Sequence, residues 1–392
     1  MVSSVCMWMN DVAAAWVMTT IAASPNMVAL VQTASSLPIF LLGLPSGALA
    51  DIFDRRKVLI VTRVWAAATA LLSSITLAFG HMTAPLLLVL TFANGMARAM
   101  RWPVSSAMVP ATVPRVMLQG ALALNSVAFN SSRIVGPLLA GAVIASAGSV
   151  YVFAINALLS ATTTVVVLRW KRPPDPPRAG PKEQLGGAIL AGLRYVRQSD
   201  RLRAILLRMS LFFLHATALV ALLPVVARDM HGASAASFTL LLAAMGCGAV
   251  VSLVYVLPRA RLSMPSDILL GGGTLLMSVA MVVVAIAPNL TLAIGAMVAA
   301  GMAWTTVANS LTVLSQLALP DWVRARGMSI QLVCMMGSSA AGAALWGQIA
   351  TSTSVVTSLC LAAASAAVWL FVLRKQRLGN AFAEEAAQSD PL

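Results

Sequence analysis

Gly47-Ala-Leu-Ala-Asp51-Ile-Phe-Asp54-Arg55-Arg56-Lys57 joins two long apolar runs, and its reading decides the fold. Gly47 allows two helices to approach closely. Asp51 closes a helix where its carboxylate can face the positive N-terminus of a neighbour. Arg55 and Arg56 hold the turn on one side of an apolar layer and can pair with Asp51 or Asp54. A plain basic anchor would account for the arginines alone. It would not call for a glycine and an acid at fixed spacing before them.

The rest of the chain supplies that layer. Of its 392 residues, 59% are hydrophobic and only 10% charged, with a mean hydropathy of +0.89. A soluble domain carries roughly 25% charged residues. So few charges cannot clothe a water-facing surface, and lipid must be the solvent for most of the chain. The net charge of +14 does not point to nucleic acid, because the basic residues fall in short gaps between apolar runs. Cys6, Cys247, Cys334 and Cys360 lie inside apolar runs without paired spacing. They read as small packing residues rather than disulfides or metal ligands.

A crossing helix needs about 20 apolar residues. Suitable runs fall near Met1–Ala23, Met27–Ala50, Val58–Phe79, Ala84–Val109, Val116–Ala145 and Val150–Leu168. After a polar gap come Ala204–Ala227, Ala235–Leu257, Asp267–Ala287, Leu290–Leu319, Gly327–Ala350 and Ser354–Leu373. The gap opens on a charged, proline-rich stretch from Arg169, stiff by composition. Ile189, Leu193 and Val196 then recur at helical spacing with Arg194, Arg197 and Arg201 between them. That pattern predicts an amphipathic helix at the membrane surface. The expected organisation is a six-helix half over 1–168, a linker over 169–203, a second six-helix half over 204–373 and a tail over 374–392.

Basic residues set the orientation. The turns after the even-numbered spans, with the linker and tail, hold Arg55, Arg56, Lys57, Arg98, Arg101, Arg115, Arg259, Arg261, Arg324, Arg326, Arg374, Lys375 and Arg377. The opposite turns hold Arg228. Both termini and the linker are therefore expected in the cytoplasm. The first span starts at residue one without a basic flank, so a cleaved signal peptide is not expected and an N-terminally shortened first helix is.

An internal repeat supports two halves. Gly120 to Ser132 aligns weakly with Gly327 to Ser339, each after a turn containing proline and arginine. The pairing matches the fifth span with the eleventh, as duplication requires.

The opening motif resembles the major facilitator signature Gly-x-Leu-x-Asp-Arg-x-Gly-Arg-Arg. Gly47, Leu49, Asp51, Arg55 and Arg56 match in register, while Ile52 and Asp54 depart from it. The segments beginning at Trp8, Ala121 and Gln316 are similar to the branch of major facilitator permeases that contains the bacterial enterobactin exporter. Members of that branch carry a further basic lead before the Trp8 segment. Gly136-Pro137-Leu-Leu-Ala140-Gly141 resembles the family's antiporter motif, with Ala140 in place of one glycine. Small residues there let backbones pack closely and Pro137 frees a carbonyl; the resemblance implies export against a counter-flow, whereas a mere packing kink implies no direction.

Charges deep in a membrane are costly and mark function. Asp11 and Arg133 are the two read as lying within spans, with His215 the deep histidine. In the major facilitator fold, spans one and five both line the N-terminal half of the cavity. Asp11 and Arg133 are then a proton relay or a structural ion pair. His215 titrates in a useful range or hydrogen-bonds quietly. Asn125, Asn130, Asn156, Asn309 and Gln331 are polar cavity candidates, and Trp16, Trp304 and Trp346 are aromatic ones; each also reads as packing or as an interface anchor.

These residues hold no phosphate loop, no catalytic cluster and no histidine grouping suited to a metal. The expectation is an all-α membrane protein of major facilitator fold in a bacterial inner membrane. It is a monomeric secondary transporter, not an enzyme, using no cofactor and exporting a small, siderophore- or drug-like organic molecule against protons. A lysolipid translocator and a non-transporting sensor are the alternatives.

Overall fold

The computed structural model describes residues 2–22, 24–52, 54–112, 114, 117–169, 185–230 and 234–373. Six helices form the first bundle: α1 (Val2–Ile21), α2 (Pro25–Ile52), α3 (Arg55–Ala78), α4 (Ala84–Thr112), α5 (Leu118–Ser146) and α6 (Ser149–Arg169). A connecting helix, α7 (Leu185–Gln198), precedes the second bundle. That bundle contains α8 (Asp200–Asp229), α9 (Ala235–Val251), α10 (Leu257–Ser263), α11 (Ser266–Ile286), α12 (Leu290–Leu317), α13 (Asp321–Ser352) and α14 (Val355–Leu373). A π-helical turn, Ser252–Val256, makes α9 and α10 one continuous rod. With that rod counted once and α7 set aside, twelve rods form the bundle.

Among the described residues, nine of these rods are long and apolar enough to cross a membrane. The other three, α1, α4 and α5, are those that carry Asp11, Arg98 with Arg101, and Arg133. The outer faces carry large apolar side chains. Val61, Val64, Trp65 and Leu72 on α3, Val166 on α6, Val279 on α11 and Phe371 on α14 are all exposed. Asn10, Asn156, His215, Ser310 and Gln331 are buried instead. That inverted arrangement suits a hydrocarbon solvent, which demands that backbone polar groups be satisfied inside helices.

The bundles meet along two seams, α2 on α13 and α5 on α9. The "linker end" is the end at which α1 begins and α7 lies. At the opposite, far end, the Asn26 side-chain amide donates to Gln348 Oε1 at 3.0 Å, and the Asn26 backbone N–H donates to Thr351 Oγ1 at 3.0 Å. Thr33 Oγ1 donates to the Ala340 carbonyl at 3.0 Å, deeper along the same seam. Trp16 of α1 stacks on Phe238 of α9 at 6.1 Å. Arg228 Nη1 donates to the Thr19 carbonyl at 3.3 Å. The far end is thus closed.

Three sequence expectations change here. Arg98 and Arg101 are not turn residues; both lie inside α4, with Arg98 midway along it. Arg98 is tolerated there because Asp11 supplies a carboxylate partner. Arg63 in α3 and Arg208 in α8 also sit within rods, so Asp11 and Arg133 are not the sole embedded charges. In α7, Val196 packs with Tyr195 against Leu202, Leu206, Leu319 and Ile330, rather than facing only lipid. Leu193 remains exposed, and the Ile189 side chain lies outside the described residues.

Candidate functional site

Small residues fix the surroundings of Asp11. Ala13 and Ala14 are fully buried, so α1 packs closely against its neighbours, and successive side chains point to different helices. Asn10 turns to α6, where Asn156 Nδ2 donates to its Oδ1 at 3.0 Å. Asp11 turns to α4. Arg98 Nη1 lies 2.7 Å from Asp11 Oδ2 and 3.0 Å from Oδ1. The Arg98 Nη2 group donates to the Ser35 carbonyl of α2 at 3.3 Å and to the Ser35 hydroxyl. Three helices are thereby tied at one depth. The pair is asymmetric in exposure, at 9% for the Arg98 side chain and 26% for Asp11. The acid is the more exposed member of the pair.

Arg133 is not the partner of Asp11. Its guanidinium sits 5.7 Å from the ring centroid of Trp8, a cation–π contact. Gly136 explains the offset: a Cβ there would come within 2.5 Å of Trp8 Cβ, so α5 lies against α1 at the level of Trp8. Arg133, one turn earlier on a parallel helix, falls nearer the linker end than Asp11 does. Pro137 is buried within α5, and a Cβ on Gly141 would collide with Thr239 of α9. The two glycines of this motif therefore set the approach of α5 to α1 and to α9.

At the linker end, Asp54 caps α3, its Oδ1 accepting from the Arg56 backbone N–H at 2.8 Å. The Arg56 guanidinium reaches α6, donating to the carbonyls of Leu168 at 2.6 Å and Val167 at 3.4 Å. A cation at that C-terminus complements the helix dipole. Gly47 and Asp51 fall in the last turns of α2, and the side chains of Asp51, Arg55 and Asn130 lie outside the described residues.

The remaining candidates scatter. His215 is buried; its Nδ1 lies 2.6 Å from the Leu211 carbonyl and so carries the proton, and its ring tilts against Trp346 at 5.7 Å. Trp304 packs edge-on to Phe212 and Phe213. Asn309 accepts from Arg261 at 2.7 Å, and Gln331 donates to Thr312 at 3.0 Å. Asn125 is exposed on α5. Sequence reasoning missed Arg98, although its position in the middle of an apolar run was the available signal. It also missed the Arg208–Asp267 ion pair, at 2.5 Å between α8 and α11. This pair lines a cavity of about 960 Å³ among α8, α11, α12 and α14, together with His215, Phe212 and Trp369.

Twelve rods, two seams and an embedded ion pair describe a transporter scaffold. The family described as transmembrane secretion effector, MFS_3, matches residues 1–392. The chain belongs to this major facilitator family. Its members and structural neighbours are transporters, not enzymes. The MFS-type transporter YfiS of Bacillus subtilis (strain 168) is 30% identical over 135 residues, 34% of this chain and 31% of that protein. The staphyloferrin A transporter of Staphylococcus aureus (strain NCTC 8325 / PS 47) is 24% identical over 139 residues, 35% of each. These matches span about a third of each relative. The fold matches the nucleoside transporter NupG, with a TM-score of 0.74 at 14% identity, over 95% of this chain and 96% of that one. It also matches the D-xylose–proton symporter, with a TM-score of 0.73 at 13% identity, over 95% of this chain and 96% of that one.

Proposed function

We propose that this MFS_3 transporter exports a small organic molecule across a bacterial cytoplasmic membrane by alternating access, driven by proton entry. The observation that carries the reading is the Asp11–Arg98 ion pair, embedded midway along α1 and α4. Protonation removes the charge of Asp11 and frees Arg98; deprotonation restores the pair. Because Arg98 also holds Ser35 of α2, and α2 forms a seam with α13, the state of the pair bears on how the bundles rock. Orientation follows the arginine bias, with the linker and both termini in the cytoplasm and the closed far end outward. The relative named for staphyloferrin A supports an organic cargo, and the one named for D-xylose and protons supports proton coupling on this fold.

Efflux from loaded proteoliposomes, with and without an imposed pH gradient, tests the reading. Asp11→Asn is expected to lose gradient-driven efflux and keep exchange of substrate down its own gradient. Full uphill efflux by that variant would remove the proton role from Asp11.

One observation favours a second reading, translocation of a lysolipid. The cavity among α8, α11, α12 and α14 is largely apolar, has the Arg208–Asp267 pair in its wall, and is large enough for an acyl chain. Saturable binding of a lysolipid, lost on narrowing the cavity with Gly272→Phe, would support it over export of a soluble molecule.

A further inference from the structure

We propose that the first bundle holds a small inorganic anion of chloride size between Arg63, Arg98 and Arg101. These three arginines come from α3 and α4 and line one cavity of about 20 Å³, which Ser3, Asn94 and Asn156 help to enclose. The cavity lies among α1, α3, α4 and α6, inside the bundle. It is distinct from the seams between the halves.

The case is one of unmatched charge. Arg98 is more than nine-tenths buried, and Asp11 engages only its Nη1. The Arg98 Nε has no acceptor. Arg63 Nη1 donates to the neutral Ser3 hydroxyl at 3.1 Å, and its buried Nε likewise has no acceptor. Arg101 has no hydrogen-bond or ion-pair partner among the described residues. Among the described residues, three guanidiniums therefore share one carboxylate at a depth where charge is poorly solvated. The other groups offer little relief: Asn94 turns its amide N–H₂ to Thr69 at 3.4 Å, and the Asn156 Oδ1 already accepts from Ser160 at 3.4 Å.

A water molecule would satisfy one or two donors and leave the charge excess untouched. An anion answers both deficits. Size favours its class: a void of roughly 10–15 Å³ admits one water-sized particle, so a volume of about 20 Å³ suits a single monatomic ion better than a carboxylate with its carbon skeleton. The ion would act as the standing counter-charge for Arg98 whenever Asp11 is neutral. That role rests on the proposed protonation of Asp11 and does not depend on which cargo is moved.

The test uses the purified full chain in detergent, with gluconate replaced stepwise by chloride at constant ionic strength and the unfolding temperature followed by tryptophan fluorescence. A saturable rise with chloride is expected, reproduced by bromide and absent with acetate. Arg101→Gln should abolish the chloride response, whereas Arg133→Gln, at the Trp8 contact, should retain it. If Arg101→Gln does not fold, Asn94→Asp provides the second arm. A built-in carboxylate there should raise the unfolding temperature in gluconate and remove the dependence on chloride. Identical curves in chloride and gluconate, an undiminished response in Arg101→Gln or Asn94→Asp, or a response to acetate alone would each overturn the assignment.

Discussion

The Arg98 guanidinium stands 2.7 Å from the Asp11 carboxylate, with both residues near the middle of their helices and the arginine the more deeply buried. The pair is thus better described as a buried base holding a partly accessible acid than as two equal partners. Removing the base alone leaves the acid without its counter-charge. Removing both leaves neither.

Arg98→Gln is therefore expected to cost stability on the order of 3–5 kcal/mol, the usual penalty for breaking a buried pair. Asp11→Asn combined with Arg98→Gln should recover much of that loss. Thermal unfolding of the two single variants and the double variant gives the coupling directly. Additive losses would mean that the two side chains do not act as a pair.

A second expectation concerns the closed far end. Asn26 and Gln348 touch across the seam, so Asn26→Cys with Gln348→Cys should cross-link under mild oxidation. Transport should stop on oxidation and return on reduction, since alternating access needs this seam to part. Undiminished transport by the cross-linked protein would rule out opening at that point.

Gly347 provides a steric counterpart. A Cβ there would approach Ala29 Cβ to 2.5 Å, so Gly347→Val should prevent the α2–α13 seam from closing. Accessibility of a cysteine at Trp16 to impermeant reagents from the far side should rise. Unchanged labelling would show that the seam closes without this contact.

At the linker end, Arg56→Gln should lose the charged donor to the Leu168 carbonyl, by about 0.3–1 kcal/mol if exposed, with no change in cargo affinity. Transport rate against binding affinity separates the two effects. A fall in affinity would place Arg56 in the cargo path instead.

Orientation can be checked in sealed cells with His81→Cys and Asp200→Cys, two exposed positions at opposite ends. Only the former should react with an impermeant thiol reagent. Reaction at position 200 would reverse the assignment.

Much of this architecture could be read from the chain because hydrocarbon imposes a strict rule, a long apolar helix for every crossing. The Gly47–Lys57 turn and the proline in α5 were legible for the same reason: each interrupts a run in a recognisable way. Partners were not. Arg98 falls in the middle of an apolar run, but a linear sequence does not name its partner, and only the crossing of α4 over α1 reveals its acid. Arg133 stands alone in α5, which invites pairing with Asp11, yet the register set by Gly136 brings it to an aromatic ring. Asn156 and Asn309, read as cavity candidates, are held by Asn10 and Arg261. Hydrogen-bond partners of that kind depend on helix rotation, which apolar periodicity constrains weakly when all faces are apolar.

The hydrogen bonds that shut the far end have a consequence for how the membrane's energy is felt. Among the described residues, no ion pair bridges the two bundles there: amides and hydroxyls meet amides, hydroxyls and carbonyls, and the guanidinium of Arg228 meets a neutral oxygen. Each such bond contributes about 0.5–1.5 kcal/mol net, and incoming water can replace it. Opening that end separates no opposite charges. The gate itself is then nearly blind to voltage and to salt, and an electric field across the bilayer acts instead on the charges carried within the rods, the Asp11–Arg98 pair of α1 and α4 among them.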